Sequence, residues 1–340
     1  IYTAYASTGN IGDVSVTGPA TIADGGINID TVDHTTKDGS VSFSSTIDDT
    51  SADPLTINAG VSNNSNVDLS GGTVKVGRLD IEKANDVTLA RVETNGAGTD
   101  GGIHIGSSAP VNSLTLEKHY FTNGNADAGS IVFNSSDITV EHDGAILRTN
   151  GTSSDGDINI NGPLNPETEG WDLSLNPGGG KIQVDADIGT NTLFGELQIA
   201  GDGSAGRVEL AGGKTVKSSG DLDLNGVSAL HLMADDGASN RIESVDGNLF
   251  LPDVLDEGTG TPSLTLQADR NVNLKEVVLD NGTGQTLSAM AATGDINLSG
   301  ALTVNGGAIL LTTPNSVSAG GNQVTADSLG VESGSGDVDF

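Results

Sequence analysis

The feature that most constrains this chain is a small unit that recurs along its whole length. A Gly, Asn or Asp precedes a short apolar–polar–apolar triplet. Gly12-Asp13-Val14-Ser15-Val16, Gly156-Asp157-Ile158-Asn159-Ile160, Gly220-Asp221-Leu222-Asp223-Leu224 and Gly294-Asp295-Ile296-Asn297-Leu298 are examples. Alternation of period two is the mark of a strand with one buried face. The flanking residues tolerate turns, so each strand is short. Helical periodicity is not sustained anywhere, and its best stretch, 286–292, is too short to stand without packing partners.

Many very short strands fit a sandwich, a barrel or a solenoid. Composition separates these. The 340 residues include 49 Gly and only 6 Phe, 3 Tyr and 1 Trp. Aromatic side chains normally supply much of a thick core, so this core is thin and aliphatic. A hydrophobic content of 35% is nevertheless too high for a disordered chain. A solenoid needs only one or two inward aliphatics per strand, because each turn stacks on the next. Leu249, Val272, Ile296, Val317 and Val338 recur at solenoid spacing, as do Leu114, Ile138, Ile158 and Ile182. The expected fold is therefore all-β, a right-handed parallel β-helix of roughly 14–17 irregular turns of about 20–24 residues, with almost no helix. It is expected to form one elongated domain over residues 1–340. Starting at Ile1 and stopping at Phe340 within the pattern, the chain reads as a processed or excised piece of a longer protein. Segments 161–170, 251–262 and 280–292 break the pattern and are expected to protrude as loops.

Charge excludes several functions. Asp and Glu number 46 against 14 Lys and Arg, a formal charge of −32. Nucleic-acid affinity comes from Lys and Arg on phosphates, and here these residues are scattered singly. Anionic membrane surfaces are disfavoured on the same ground. Apolar runs such as Ala308-Ile309-Leu310-Leu311 are far too short to insert into a membrane. No basic stretch followed by an apolar segment marks a signal peptide at the N-terminus. With no Cys, a disulfide scaffold, a thiol nucleophile and a Cys-ligated zinc are excluded, and export through an oxidising compartment is suited.

Catalytic residues cannot be assembled from the sequence, and the chain reads as non-enzymatic. The five histidines are His34, His104, His119, His142 and His231. His104 and His231 lie between apolar neighbours, and alternation points them outward. His142 and Asp143 are adjacent and so face opposite sides of an extended chain. A polysaccharide-acting β-helix enzyme is a further alternative, but it needs selected carboxylates and aromatic platforms. Trp171, Tyr120-Phe121 and the segment holding Tyr2 and Tyr5 are almost the whole aromatic supply. Oxygen-rich acidic turns suit Ca²⁺, which takes carboxylate and carbonyl oxygens. The candidate ligands are Asp48, Asp49 and Asp53; Asp202; Asp235 and Asp236; and Asp253, Asp256 and Glu257. The competing reading is a solvated acidic surface that keeps the chain soluble.

The stretch Gly294-Asp295-Ile296-Asn297-Leu298-Ser299-Gly300-Ala301-Leu302-Thr303-Val304-Asn305-Gly306-Gly307 resembles the repeat region of filamentous-haemagglutinin-type adhesins, and Val317-Ser318-Ala319-Gly320-Gly321-Asn322 is similar. The resemblance implies a large bacterial surface or secreted protein with a long parallel β-helix. Its partners would be flanking repeats or neighbouring copies of itself, together with a host or cell-surface glycan or protein receptor. The alternative is a self-assembling subunit of an extracellular filament or sheath, stacked head to tail and stabilised by Ca²⁺.

Overall fold

The structure, a computed structural model, describes residues 12–22, 24–32, 38–49, 51–96, 101–124, 128–151, 154–201, 206–233, 238–257, 260–334 and 336–339. Within these residues the chain is all-β, a β-solenoid of parallel strands stacked in about 12 turns, with no helix. It divides into two compact units, Ile1–Glu167 with Leu175–Gly180, and Thr168–Ser174 with Lys181–Phe340.

In the first unit each turn contributes three short strands. The turn holding Val14–Val16, Ala20–Ile22 and Ile27–Asp30 is followed in register by the one holding Val41–Phe43, Ile47–Asp49 and Pro54–Asn58. Alternation then does what the sequence predicts. Ile29, Ile57, Ile81, Ile105, Phe133 and Ile160 stack in one inward column, and all are fully buried. The residues between them face outward. The second unit repeats the arrangement. Leu222, Leu249, Val272, Ile296, Val317 and Val338 form a single register column. The chosen landmarks from Leu249 onward therefore mark equivalent positions.

Leu114 and Ile138 are also in register. Ile158 and Ile182 are not part of their column: Ile158 pairs with Ile131, and Ile182 with Val208. Three triplets per turn look alike in sequence, so a landmark can slip from one face to another. Turn length varies: hydrogen bonds between equivalent positions join residues 27 apart at Ser40 and Asp13, 26 apart at Lys214 and Asn240, and 21 apart at Ser316 and Asp295.

The three segments expected as loops are strands in part. Leu164–Pro166 pairs with Ile138–Val140, Asp253–Asp256 with Ala229–Leu232, and Thr286–Ala291 with Ser263–Ala268. Pro166 is accommodated because parallel pairing at a strand end does not require its missing N–H.

The punctuating residues have a defined role. Asp221 Oδ1 accepts the Asn248 backbone N–H at 2.7 Å, Asn248 Oδ1 accepts that of Asn271 at 3.2 Å, Asn271 Oδ1 that of Asp295 at 2.8 Å, and Asp295 Oδ1 that of Ser316 at 2.9 Å. Each carbonyl or carboxylate caps the equivalent amide of the next turn, where the strand ladder has not yet begun. In the first unit, buried hydroxyls bond backbone carbonyls at a corner: Thr122 Oγ1 donates to Gly129 O at 2.6 Å and Thr149 Oγ1 to Gly156 O at 2.5 Å. Those glycines are stacked so closely that a Cβ on Gly156 would lie 2.3 Å from Gly129 O. Only glycine lets successive turns approach there.

Replacing Asn248 by Ala removes an acceptor from one turn and exposes the Asn271 amide. The expected cost is about 1–2 kcal/mol in denaturant unfolding, with faster hydrogen exchange at the Asn271 amide. An unchanged midpoint and unchanged exchange would show that the ladder does not hold the turns.

Candidate functional site

The acidic turns do not converge. Asp48 and Asp49 occupy consecutive strand positions and so point to opposite faces. Asp48 is exposed and in register with Lys75 on the next turn. Asp49 faces inward and is buried; its Oδ1 accepts the Ser51 N–H at 3.0 Å and its Oδ2 that of Asp53 at 2.5 Å. It is a turn cap for a segment in which Ala52 has a positive φ of 61°. Asp53 Oδ1 accepts the Gly25 N–H at 3.1 Å. Asp253 Oδ1 accepts the Glu276 N–H at 3.3 Å, Asp256 faces the core, and Glu257 Oε2 lies 2.8 Å from His231 Nδ1 on the other side of the strand. Asp202, Asp235 and Asp236 lie outside the described residues, as do His34, Tyr2 and Tyr5. Among the described residues, no group of three or more His, Asp or Glu is placed to hold a metal ion.

The richest surface chemistry lies on the first unit, around Phe121. Tyr120 and Phe121 sit side by side in a strand, so one faces in and the other out. Tyr120 is fully buried, its hydroxyl donating to Leu89 O at 2.7 Å, with Phe133 edge-on at 6.0 Å. Burial drives its phenol well above the usual range. It is a core residue and not a sugar platform. Phe121 lies on the outer face between Arg91 and Arg148, whose guanidinium carbons are 4.8 and 4.7 Å from the ring centroid. Cations held over an aromatic face are attracted by its quadrupole. The register explains the grouping: Asp48, Lys75, Glu93, Phe121 and Arg148 form one outward column. Arg91 is further tied to Glu93 at 2.5 Å.

His119 and His142 border this group, ring on ring at 4.8 Å in an edge-to-face arrangement. Burial, then His142, Arg91 and Lys118, hold the His119 imidazole below its usual value. Beside them Glu117 and Glu141 follow in-register strand ends. Burial raises both carboxyls; Asp68 adds to the effect at Glu117, and Glu167 and Glu117 add to it at Glu141. The sequence carried no signal for this grouping, because the residues come from three successive turns.

His104 and His231 keep the predicted outward alternation between fully buried neighbours, but neither is freely solvated. His104 Nδ1 lies 3.0 Å from Arg78 Nη2, and Arg78 also pairs with Asp80 at 2.7 Å. Burial and then Arg78 lower the His104 imidazole, against the pull of Asp80. His231 is buried beneath Glu257. In the second unit, burial pushes the Glu209 carboxyl up, but Lys181 at 2.9 Å and Arg207 at 2.6 Å outweigh it and hold it below its usual range. No helix among the described residues is long and apolar enough to cross a membrane. Compared with models of protein families, with curated proteins and with solved structures, the chain matches none.

The raised carboxyls set a pH dependence. A carboxyl whose folded-state value is raised adds stability at low pH, and this is lost as pH rises through the folded-state value. Glu141→Gln is therefore expected to raise the melting temperature at pH 7 by about 1–2 °C, allowing for solvent screening. The difference should vanish below the carboxylate range. A melting temperature lowered at pH 7 would show that the Glu141 charge stabilises the fold.

Proposed function

We propose that this chain is a structural, non-enzymatic β-solenoid segment of an extracellular bacterial adhesin or surface fibre. The observation that carries this reading is the use to which the polar residues are put. Asp221, Asn248, Asn271 and Asp295 cap the amides of the next turn. Glu209 and Glu243 are each held by two cations. Such side chains reinforce the stack, leaving attachment to outer-face groups such as Arg91 and Arg148, which cover the buried Phe121 ring. On this reading, the repeat-like stretch 294–307 belongs to the filamentous-haemagglutinin style of construction. Its partners are flanking repeats and a cell-surface glycan or protein.

Negative-stain electron microscopy of the purified chain, paired with a turnover assay on acidic polysaccharides, tests the reading. Elongated particles and no new reducing or unsaturated ends are expected. Compact particles, or measurable turnover, would overturn it.

A further inference from the structure

Asp256 breaks the rule of its column. It is in register with Leu232, a fully buried core position, and is itself only 7% exposed. A lone carboxylate in an aliphatic column needs compensation for lost hydration. Part of it comes from the next turn. Gln285, fully buried, donates from Nε2 to Asp256 Oδ2 at 2.5 Å, and the Asn281 backbone N–H donates to the same oxygen at 3.1 Å. Asn281 Nδ2 fixes the loop by donating to the Asp256 carbonyl at 2.8 Å. Both donors to the carboxylate thus fall on Oδ2. Asp256 Oδ1 and Gln285 Oε1 are buried and receive no hydrogen bond from the described residues.

Two acceptor oxygens from two joined side chains, one of them a carboxylate's, are left without a donor in the interior. A buried polar group in that state is costly. A positive centre at these oxygens would remove that cost. We infer that Asp256 Oδ1 and Gln285 Oε1 are ligands of a bound Ca²⁺, closed over by the loop 280–285. The ligand chemistry is all oxygen, one carboxylate and one amide carbonyl, which suits a hard cation. Ca²⁺ tolerates irregular coordination completed by backbone carbonyls and water, whereas Mg²⁺ demands near-ideal octahedral geometry. A single carboxylate places the affinity in the weak range of extracellular modules, about 10⁻⁴–10⁻³ M. The site keeps Asp256 from the acidic turns and replaces Asp253 and Glu257, which point elsewhere, by Gln285 from the following turn.

Thermal unfolding of the full chain in about 5 mM Ca²⁺ and in excess chelator tests the inference, with calorimetric titration of Ca²⁺ alongside. Ca²⁺ is expected to raise the melting temperature by about 2–4 °C, with Mg²⁺ doing less. The response should disappear in Asp256→Asn. Should that variant fail to fold, Gln285→Glu supplies the second arm: an added carboxylate tightens the site and enlarges the Ca²⁺ response. A wild-type chain indifferent to Ca²⁺ overturns the inference, and so does a response that Asp256→Asn retains in full. Either result would assign a water to the two oxygens. Neither would bear on the structural role proposed above, which needs no metal.

Discussion

The hydrogen bond from a backbone amide to the carbonyl of the equivalent position one turn away is the interaction on which the rest of this structure depends. It fixes the turns in parallel register, about 4.8 Å apart. Every residue then has two near neighbours determined by register, above and below, and its energetics are largely those of its column. This is why a core almost without aromatics suffices. Ile29, Ile57, Ile81 and Ile105 lie over one another and are fully buried, though each strand offers only one or two such side chains. A globular core of the same composition would be short of large side chains; a stacked one needs only like placed upon like.

The same geometry governs the polar residues. Where opposite charges meet between neighbouring columns they hold one another, as the register partners Lys181 and Arg207 hold Glu209. Where carboxyls follow one another, burial raises them and the neighbouring negative charges add to it, as at Glu117 and Glu141. An amide or carboxylate at a corner can bond along the stack, and the Asp221–Asn248–Asn271–Asp295 series does so for four consecutive turns. The acidic composition is therefore not one undifferentiated surface. Some carboxylates cap backbone amides, some are held by cations, and some repel one another.

Much of the fold was legible because period-two alternation is a local property. The triplets, the near absence of helix and the stacked order of Leu249 through Val338 were all available from the sequence. Less legible was which triplets share a face. Ile138 and Ile158 carry the same local pattern, yet Ile158 pairs with Ile131, because register is set by loop lengths and not by the triplets themselves. Pro163 and Pro166 suggested a loop, although a proline at the edge of a parallel strand leaves pairing intact. The candidate site was legible only residue by residue. Asp48 and Asp49 looked like a pair, but alternation separates them. Arg91, Phe121 and Arg148 come from three successive turns, with His142 on the turn of Arg148, so no short spacing in the sequence joins them.

Departures from a column's usual occupant are where chemistry beyond packing is to be sought, and their hydrogen bonding sorts them. Asp49 and Asp256 are both carboxylates at inward positions. Asp49 is satisfied within its own turn, one backbone amide to each oxygen, and this local closure makes it a cap. Asp256 draws its donors from the neighbouring turn, and both reach the same oxygen. Its other oxygen and that of Gln285 remain acceptors without a donor among the described residues. Composition and alternation treat these two residues alike. What separates them is whether the surrounding turns complete the hydrogen bonding of a buried carboxylate or leave its second oxygen without a donor.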